Sequence, residues 1–299
     1  MRIFKKIVVG MAFSGPAFAA LRQAHFIADK EEALLIAYHI VTPAKLDYYQ
    51  GNDTVPTDEV LQDYRDRIAE IAERELGKEA EIDIQVAVGL PFDSLSRKVS
   101  EVGADLLVIG SQSEIIDQNE TGPFATKIVR HSDTAVLLAR KRHLQPFKRI
   151  VACVDFGTST QEVIETAAKI AVDEGGQLTV VHAVCPPWMS VNPLEYGGGT
   201  PDFRLQYEEL LRSELEAAVR GASQFLPLEV RRETVLGQRP GPELMKFLCD
   251  EKADLVVIGR NHHSRLGQAV LGSMAERIIH HSPCSVLTVV QVGEEGDSA

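Results

Sequence analysis

The amino-acid sequence predicts an α/β protein: two tandem copies of a five-stranded parallel sheet, strand order 3-2-1-4-5, with helices on both faces. Three observations predict it. The segment Ala-Asp-Leu-Leu-Val-Ile-Gly at Ala104–Gly110 returns, with one Leu→Val change, as Ala-Asp-Leu-Val-Val-Ile-Gly at Ala253–Gly259. Within each copy, short β-branched runs alternate with helical patterns, an order that builds an open parallel sheet with right-handed crossovers. Leu255-Val256-Val257-Ile258 is apolar at every position, as expected of a strand covered on both faces.

The echo reaches beyond one strand. Lys6-Ile7-Val8-Val9 resembles Arg149-Ile150-Val151-Ala152, and Leu35–Pro43 with His39 resembles Leu178–Pro186 with His182, both offset by 143 residues. His131-Ser132 with Val136-Leu137 matches His281-Ser282 with Val286-Leu287 at an offset of 150. Offsets that drift slowly in one direction mean small loop insertions in a shared plan. The boundaries follow: one domain over residues 1–144 and a second over 147–293, each large enough to bury its own core. The basic run near Arg140–Pro146 reads as a solvated linker, and Glu294–Ala299 as an acidic tail.

Element by element, the second copy predicts strands at Arg149–Val154, Leu178–Val184, Leu228–Val235, Asp254–Gly259 and Ser285–Val290. Ser159-x-x-Glu162 is a capping-box pattern that opens the first helix. Val163, Ala167, Ile170 and Ala171 then form its buried stripe. Phe203–Phe225 repeats the helical pattern with Leu205, Leu211, Leu215, Ala218 and Val219. The first twenty residues mimic a secretory signal, with Ala17-Phe18-Ala19 as a cleavage site. Lys6–Phe13 aligns with Arg149–Phe156 in mid-chain, however, so this segment reads as a strand and the start of a helix.

Composition excludes several functions. A net charge of −12 argues against sequence-independent nucleic-acid binding. No apolar run approaches the ~18 residues that span a bilayer. Cys153, Cys185, Cys249 and Cys284 show no CxxC pair or metal-ligand spacing, which fits a reduced, cytoplasmic setting and no metal site. His262-His263 and His280-His281 lack carboxylate or thiolate company at defined spacing. There is no GxxxxGK[ST], GxGxxG or GxSxG.

In a sheet of this order, ligands sit beyond the carboxyl ends of strands one and four. After strand one stands Asp155, an acceptor suited to ribose hydroxyls or a base amine. The bland alternative is a turn carboxylate. After strand four, Gly259-Arg260-Asn261-His262 is followed by nine residues and then Gly272-Ser273-Met274, where a helix begins. Glycine lets backbone amides approach an oxyanion, and a helix start favours negative charge. Copy one has Ala12 in place of Asp155 and Pro123 in place of Ser273, with Glu114, Asp117 and Glu120 between its two glycines. It reads as a degenerate domain that serves as scaffold.

On these residues the chain resembles a tandem universal stress protein. The nucleotide-binding members carry Gly-x2-Gly-x9-Gly-Ser/Thr with an Asp after the first strand. The resemblance implies that Asp155 contacts ribose or adenine, that the backbone at Ala183 borders the base, and that Gly259, His262, Gly272, Ser273 and Met274 surround the phosphates. His262 departs from the family's glycine: its side chain either narrows the cradle or donates to a phosphate.

The functional expectation is a cytosolic stress-response or regulatory protein binding ATP, or a related adenine nucleotide, in the C-terminal domain. Mg²⁺ would sit on the phosphates, though no carboxylate for it can be named. Hydrolysis would be slow at most, because no catalytic lysine, arginine finger or placed base is evident. Alternatives are a protein-interaction module with a vestigial site, or a weak hydrolase or sensor of AMP or cyclic AMP. Expected partners are the nucleotide and a regulatory protein, with no nucleic acid and no membrane. The resemblance also implies an internal pseudo-dimer through Ala135–Ala139 and Ser285–Val290, and a homodimer is compatible with it.

Overall fold

The computed structural model describes residues 3–50, 56–111, 121–140, 146–189, 200–223, 228–260 and 271–290. The chain divides into two compact units, Met1–Gln145 and Pro146–Ala299. Unit one runs β1 (Lys6–Met11), α1 (Gly15–Glu31), β2 (Leu34–Val41), α2 (Pro43–Gln50), α3 (Thr57–Leu76), β3 (Asp83–Val88), α4 (Pro91–Val102), β4 (Leu106–Gly110), α5 (Pro123–His131) and β5 (Ala135–Ala139). Unit two runs β6 (Arg149–Val154), α6 (Thr160–Glu174), β7 (Gln177–Val184), a 3₁₀ turn (Pro187–Met189), α7 (Pro201–Ser223), β8 (Val230–Leu236), α8 (Pro240–Asp250), β9 (Leu255–Arg260), α9 (Ser273–His281) and β10 (Ser285–Val290).

Every strand pair within a unit is parallel. Unit one has the order β3-β2-β1-β4-β5, and unit two has β8-β7-β6-β9-β10. Both are the predicted 3-2-1-4-5. The central strands carry the core, with Ile7, Val8, Val9, Leu106 and Val108 fully buried in unit one and Leu255, Val256 and Val257 in unit two. The first twenty residues hold β1 and the start of α1. Ser14 caps that helix by accepting from the Ala17 N–H at 3.5 Å.

The repeated Ala-Asp-Leu triplet has a definite task. Asp105 Oδ2 accepts the Lys5 and Lys6 N–H groups at 2.8 and 2.9 Å. Asp254 Oδ2 accepts those of Lys148 and Arg149 at 3.0 and 2.8 Å. Each carboxylate thus ties the start of the fourth strand to the start of the first, satisfying amides that the ladder leaves open at its edge. A duplicated fold keeps this clip in both copies.

Three expectations need correction. The Ser159–Glu162 capping box does not form: Ser159 is the N-cap of α6, yet its side chain makes no cap hydrogen bond. It is drawn instead over Gly259, as described below. In α7, Leu211, Leu215 and Val219 are buried, but Leu205 is 66% exposed, so the buried stripe starts nearly three turns into the helix. Ile170 in α6 is half-buried, with Ile164 and Ala168 filling the core face. None of the described helices is long and apolar enough to cross a membrane.

Candidate functional site

At the carboxyl end of β6 the chain turns through Asp155-Phe156-Gly157. Asp155 Oδ1 accepts the Gly157 N–H at 2.9 Å, a side-chain mimic of a backbone turn. Phe156 lies between the bonded residues at φ +58°, in the left-handed region that a bulky residue seldom adopts. Its ring packs on the His182 ring with centroids 4.4 Å apart. His182 is held in turn by its Nδ1, 2.8 Å from the Val154 carbonyl, which fixes Nδ1 as the donor. Asp155 itself is exposed, and among the described residues its Oδ2 accepts from none.

Gly259, near the end of β9, is required by packing. A Cβ there would lie 1.9 Å from Ser159 Oγ and 2.7 Å from Ser159 Cβ, so the head of α6 can sit this close only over a glycine. Its counterpart Gly110 is under the same constraint from the Pro16 backbone, 2.6 Å from such a Cβ. Sequence reasoning gave Gly259 an anion-binding role, and the structure adds a steric one. Gly272 differs: no described atom lies within 4 Å of its hypothetical Cβ. It is the N-cap of α9 at φ −64°, ψ 156°, and the first-turn amides that follow have no intrahelical acceptor.

Asp155, Ala183, Gly259 and Met274 line one cavity of ≈ 90 Å³. Gly272 and Ser273 stand at the head of the helix whose Met274 and Ala275 form part of its wall. His262 lies outside the described residues. Sequence reasoning missed Cys153, Ser159, Thr160, Val163 and Ile258, which line the same cavity. Thr160 is the informative one, since its Oγ1 is buried without a hydrogen-bond partner. A hydroxyl at the first residue of the helix after Asp155 was the available signal. Burial, and then Asp155, push the Cys153 thiol up to about 12, so it stays protonated and non-nucleophilic. Among the described residues no cluster of His, Cys, Asp or Glu is arranged to hold a metal ion.

The same place in unit one is built differently. Gly122 caps α5 at φ −65°, ψ 156°, nearly the backbone geometry of Gly272. Pro123 follows it and contributes no N–H. Ala12 offers no carboxylate. The crevice between them measures ≈ 620 Å³ and is walled largely by apolar side chains, among them Met11, Phe13, Leu95, Ile109 and Phe124.

Two doubly wound units, each with a crevice beyond strands one and four and one with a carboxylate and a helix start lining the same cavity, define a tandem α/β protein. Comparison with known proteins makes the class specific. The model of the Universal stress protein family matches residues 3–140 and again 146–290, so the chain belongs to that family. A universal stress protein of Thermus aquaticus is 30% identical over 148 residues, 48% of this chain and 98% of that protein. Universal stress protein A homolog 1 of Coxiella burnetii is 28% identical over 144 residues, 48% of this chain and 96% of that protein. Among solved structures, a universal stress protein from Archaeoglobus fulgidus is similar in fold, with a TM-score of 0.61 at 16% identity, covering 95% of this chain and 98% of that one.

Proposed function

We propose that unit two binds an adenine nucleotide, ATP first among them, and that the chain acts in the cytoplasm in a stress-response or regulatory role. The observation that carries this reading is the convergence of three unsatisfied features on one crevice. Asp155 has an open carboxylate oxygen, Thr160 has an unpartnered buried hydroxyl, and α9 opens with unpaired amides at an unobstructed Gly272.

Each feature suits one part of the ligand. Asp155 is already oriented by the Gly157 amide, and its Oδ2 accepts a ribose hydroxyl. Thr160 completes a hydrogen bond on the same side, and the backbone at Ala183 borders the base. The amides of Ser273 and Met274, the Ser273 hydroxyl and the positive end of the helix receive phosphate oxygens. The cavity of ≈ 90 Å³ is well below the ~300 Å³ of ordinary small-molecule pockets. The nucleotide therefore lies across its rim, with Gly272 on the phosphate side. Mg²⁺, when bound, neutralises phosphate charge, and no described side chain is assigned to it. Hydrolysis is at most slow, since Cys153 stays protonated and no general base is placed among the described residues.

The small enclosed volume favours one second reading, a protein-interaction module that retains the shape of a nucleotide site. Calorimetry with Mg·ATP separates the two. The expected result is one site per chain, lost in Gly272→Glu because a carboxylate enters the phosphate cradle, and kept in Gly122→Glu. No heat of binding and no nucleotide released by acid from the purified protein would overturn the nucleotide reading and favour the second.

A further inference from the structure

We propose that the crevice of unit one is a binding site for an uncharged ring compound carrying one hydroxyl or N–H donor, held by His39. This inference concerns the unit without the nucleotide-site residues and stands or falls separately from the nucleotide reading.

His39, at the end of β2, lines the ≈ 620 Å³ cavity and is only 5% exposed. Its Nδ1 lies 2.8 Å from the Met11 carbonyl. A carbonyl can only accept, so Nδ1 carries the proton, and in the neutral ring Nε2 is an acceptor. Burial is the first cause that holds the imidazole below its ordinary pKa, and Lys45 and Arg67 add to it. The ring is therefore neutral at pH 7. Its plane is fixed by Tyr64, stacked at 4.9 Å, and by Phe13, edge-on at 5.0 Å. Nε2 nevertheless has no hydrogen-bond partner. A buried acceptor left open costs free energy that an incoming donor recovers.

The surroundings fix the rest of the ligand's chemistry. Three hydroxyls in the wall already serve the chain: Ser14 and Thr42 accept the backbone N–H groups of Ala17 and Lys45, and Ser111 donates to the Ala139 carbonyl. Lys45 is the sole charged side chain among the described lining residues and lies exposed on α2. Pro123 takes a donor away from the head of α5. Among the described lining residues a phosphate would find weak support, and a cation would find no carboxylate. An apolar ring finds Phe13, Leu95, Ile109 and Phe124, in a volume within the usual range for small-molecule sites. In unit two the equivalent imidazole, His182, is not among the buried atoms left without a partner.

The test uses the full-length chain, with 2-naphthol and 2-methoxynaphthalene as probes of nearly equal apolar surface. Calorimetry should show 2-naphthol binding once per chain and about tenfold more tightly than the methyl ether, which cannot donate to Nε2. This comparison needs no variant. Ala12→Trp, at an exposed position on the rim, should block 2-naphthol and leave Mg·ATP binding unchanged. His39→Phe, if folded by circular dichroism, should bind the two probes equally. Gly272→Glu should leave 2-naphthol binding intact. Equal affinity of wild type for the two probes, retention of binding in Ala12→Trp, or displacement of 2-naphthol by ATP in the Gly272→Glu protein would overturn the proposal.

Discussion

Replacing Gly259 by alanine tests whether that glycine answers first to packing. The new Cβ would lie 1.9 Å from Ser159 Oγ, 2.7 Å from Ser159 Cβ and 3.3 Å from Val163 Cγ2. Rotating the hydroxyl away does not relieve the Cβ contact, so the head of α6 must move. Overpacking of this kind costs about 1–3 kcal/mol, against about 0.4–1 kcal/mol gained by removing glycine from the unfolded chain. A net loss of about 1–2 kcal/mol is expected. Gly272→Ala meets no described neighbour and has φ −64°, so it should be neutral or slightly stabilising. The single tryptophan, Trp188, lies in unit two, and its emission during urea unfolding reports on that unit alone. Gly259→Ala combined with Ser159→Gly should recover at least half of the loss, since the obstructing atoms are gone. The reasoning fails if Gly259→Ala is as stable as wild type, or if Ser159→Gly restores nothing.

Asp155→Ala should weaken Mg·ATP binding by about tenfold to a hundredfold, while Asp155→Asn, which can keep the Gly157 bond through its Oδ1, should lose less; titration calorimetry ranks them, and equal losses would refute the split role. Burial holds His39 below its ordinary pKa of 6.5, so the unfolded chain takes up the proton first. The associated stability is complete above pH 6.5 and lost as pH falls below it. The protection factors of amides in β1 and β2, which divide out the intrinsic slowing of exchange at lower pH, should therefore fall from pH 7 to 5, less so in His39→Gln. Iodoacetamide at pH 8 should modify exposed Cys249 first and buried Cys284 and the high-pKa Cys153 last, as read by mass spectrometry.

Much of the fold was legible because the chain states it twice. Offsets of 143 to 150 residues located the strands of unit two within two residues at each end, and strand β5 on Ala135–Ala139. The uniform apolarity of Leu255–Ile258 identified a doubly covered strand. Asp155, Ala183, Gly259 and Met274 were legible as a group, since strand order alone brings those loop positions together. Contacts between elements were not. Nothing in the string says that Ser159 turns from its helix cap to sit over Gly259, or that Leu205 misses the core. The small cavity of unit two and the large one of unit one also run against expectation. Ala12 and Pro123 were read as losses, yet small and apolar side chains at those places leave room. His39 and His182 stand at matching strand ends and each holds Nδ1 2.8 Å from a backbone carbonyl; their burial and the rings packed on them separate the two.

The turn at Asp155 has a consequence for recognition. One oxygen of that carboxylate is anchored to the Gly157 main chain, so the other points outward before anything arrives. A side chain already held by a hydrogen bond forfeits less rotational freedom on contact, which on the proposed nucleotide reading helps a shallow rim to hold a sugar. The turn that bends the backbone at Phe156 thereby serves as the mounting for the Asp155 carboxylate.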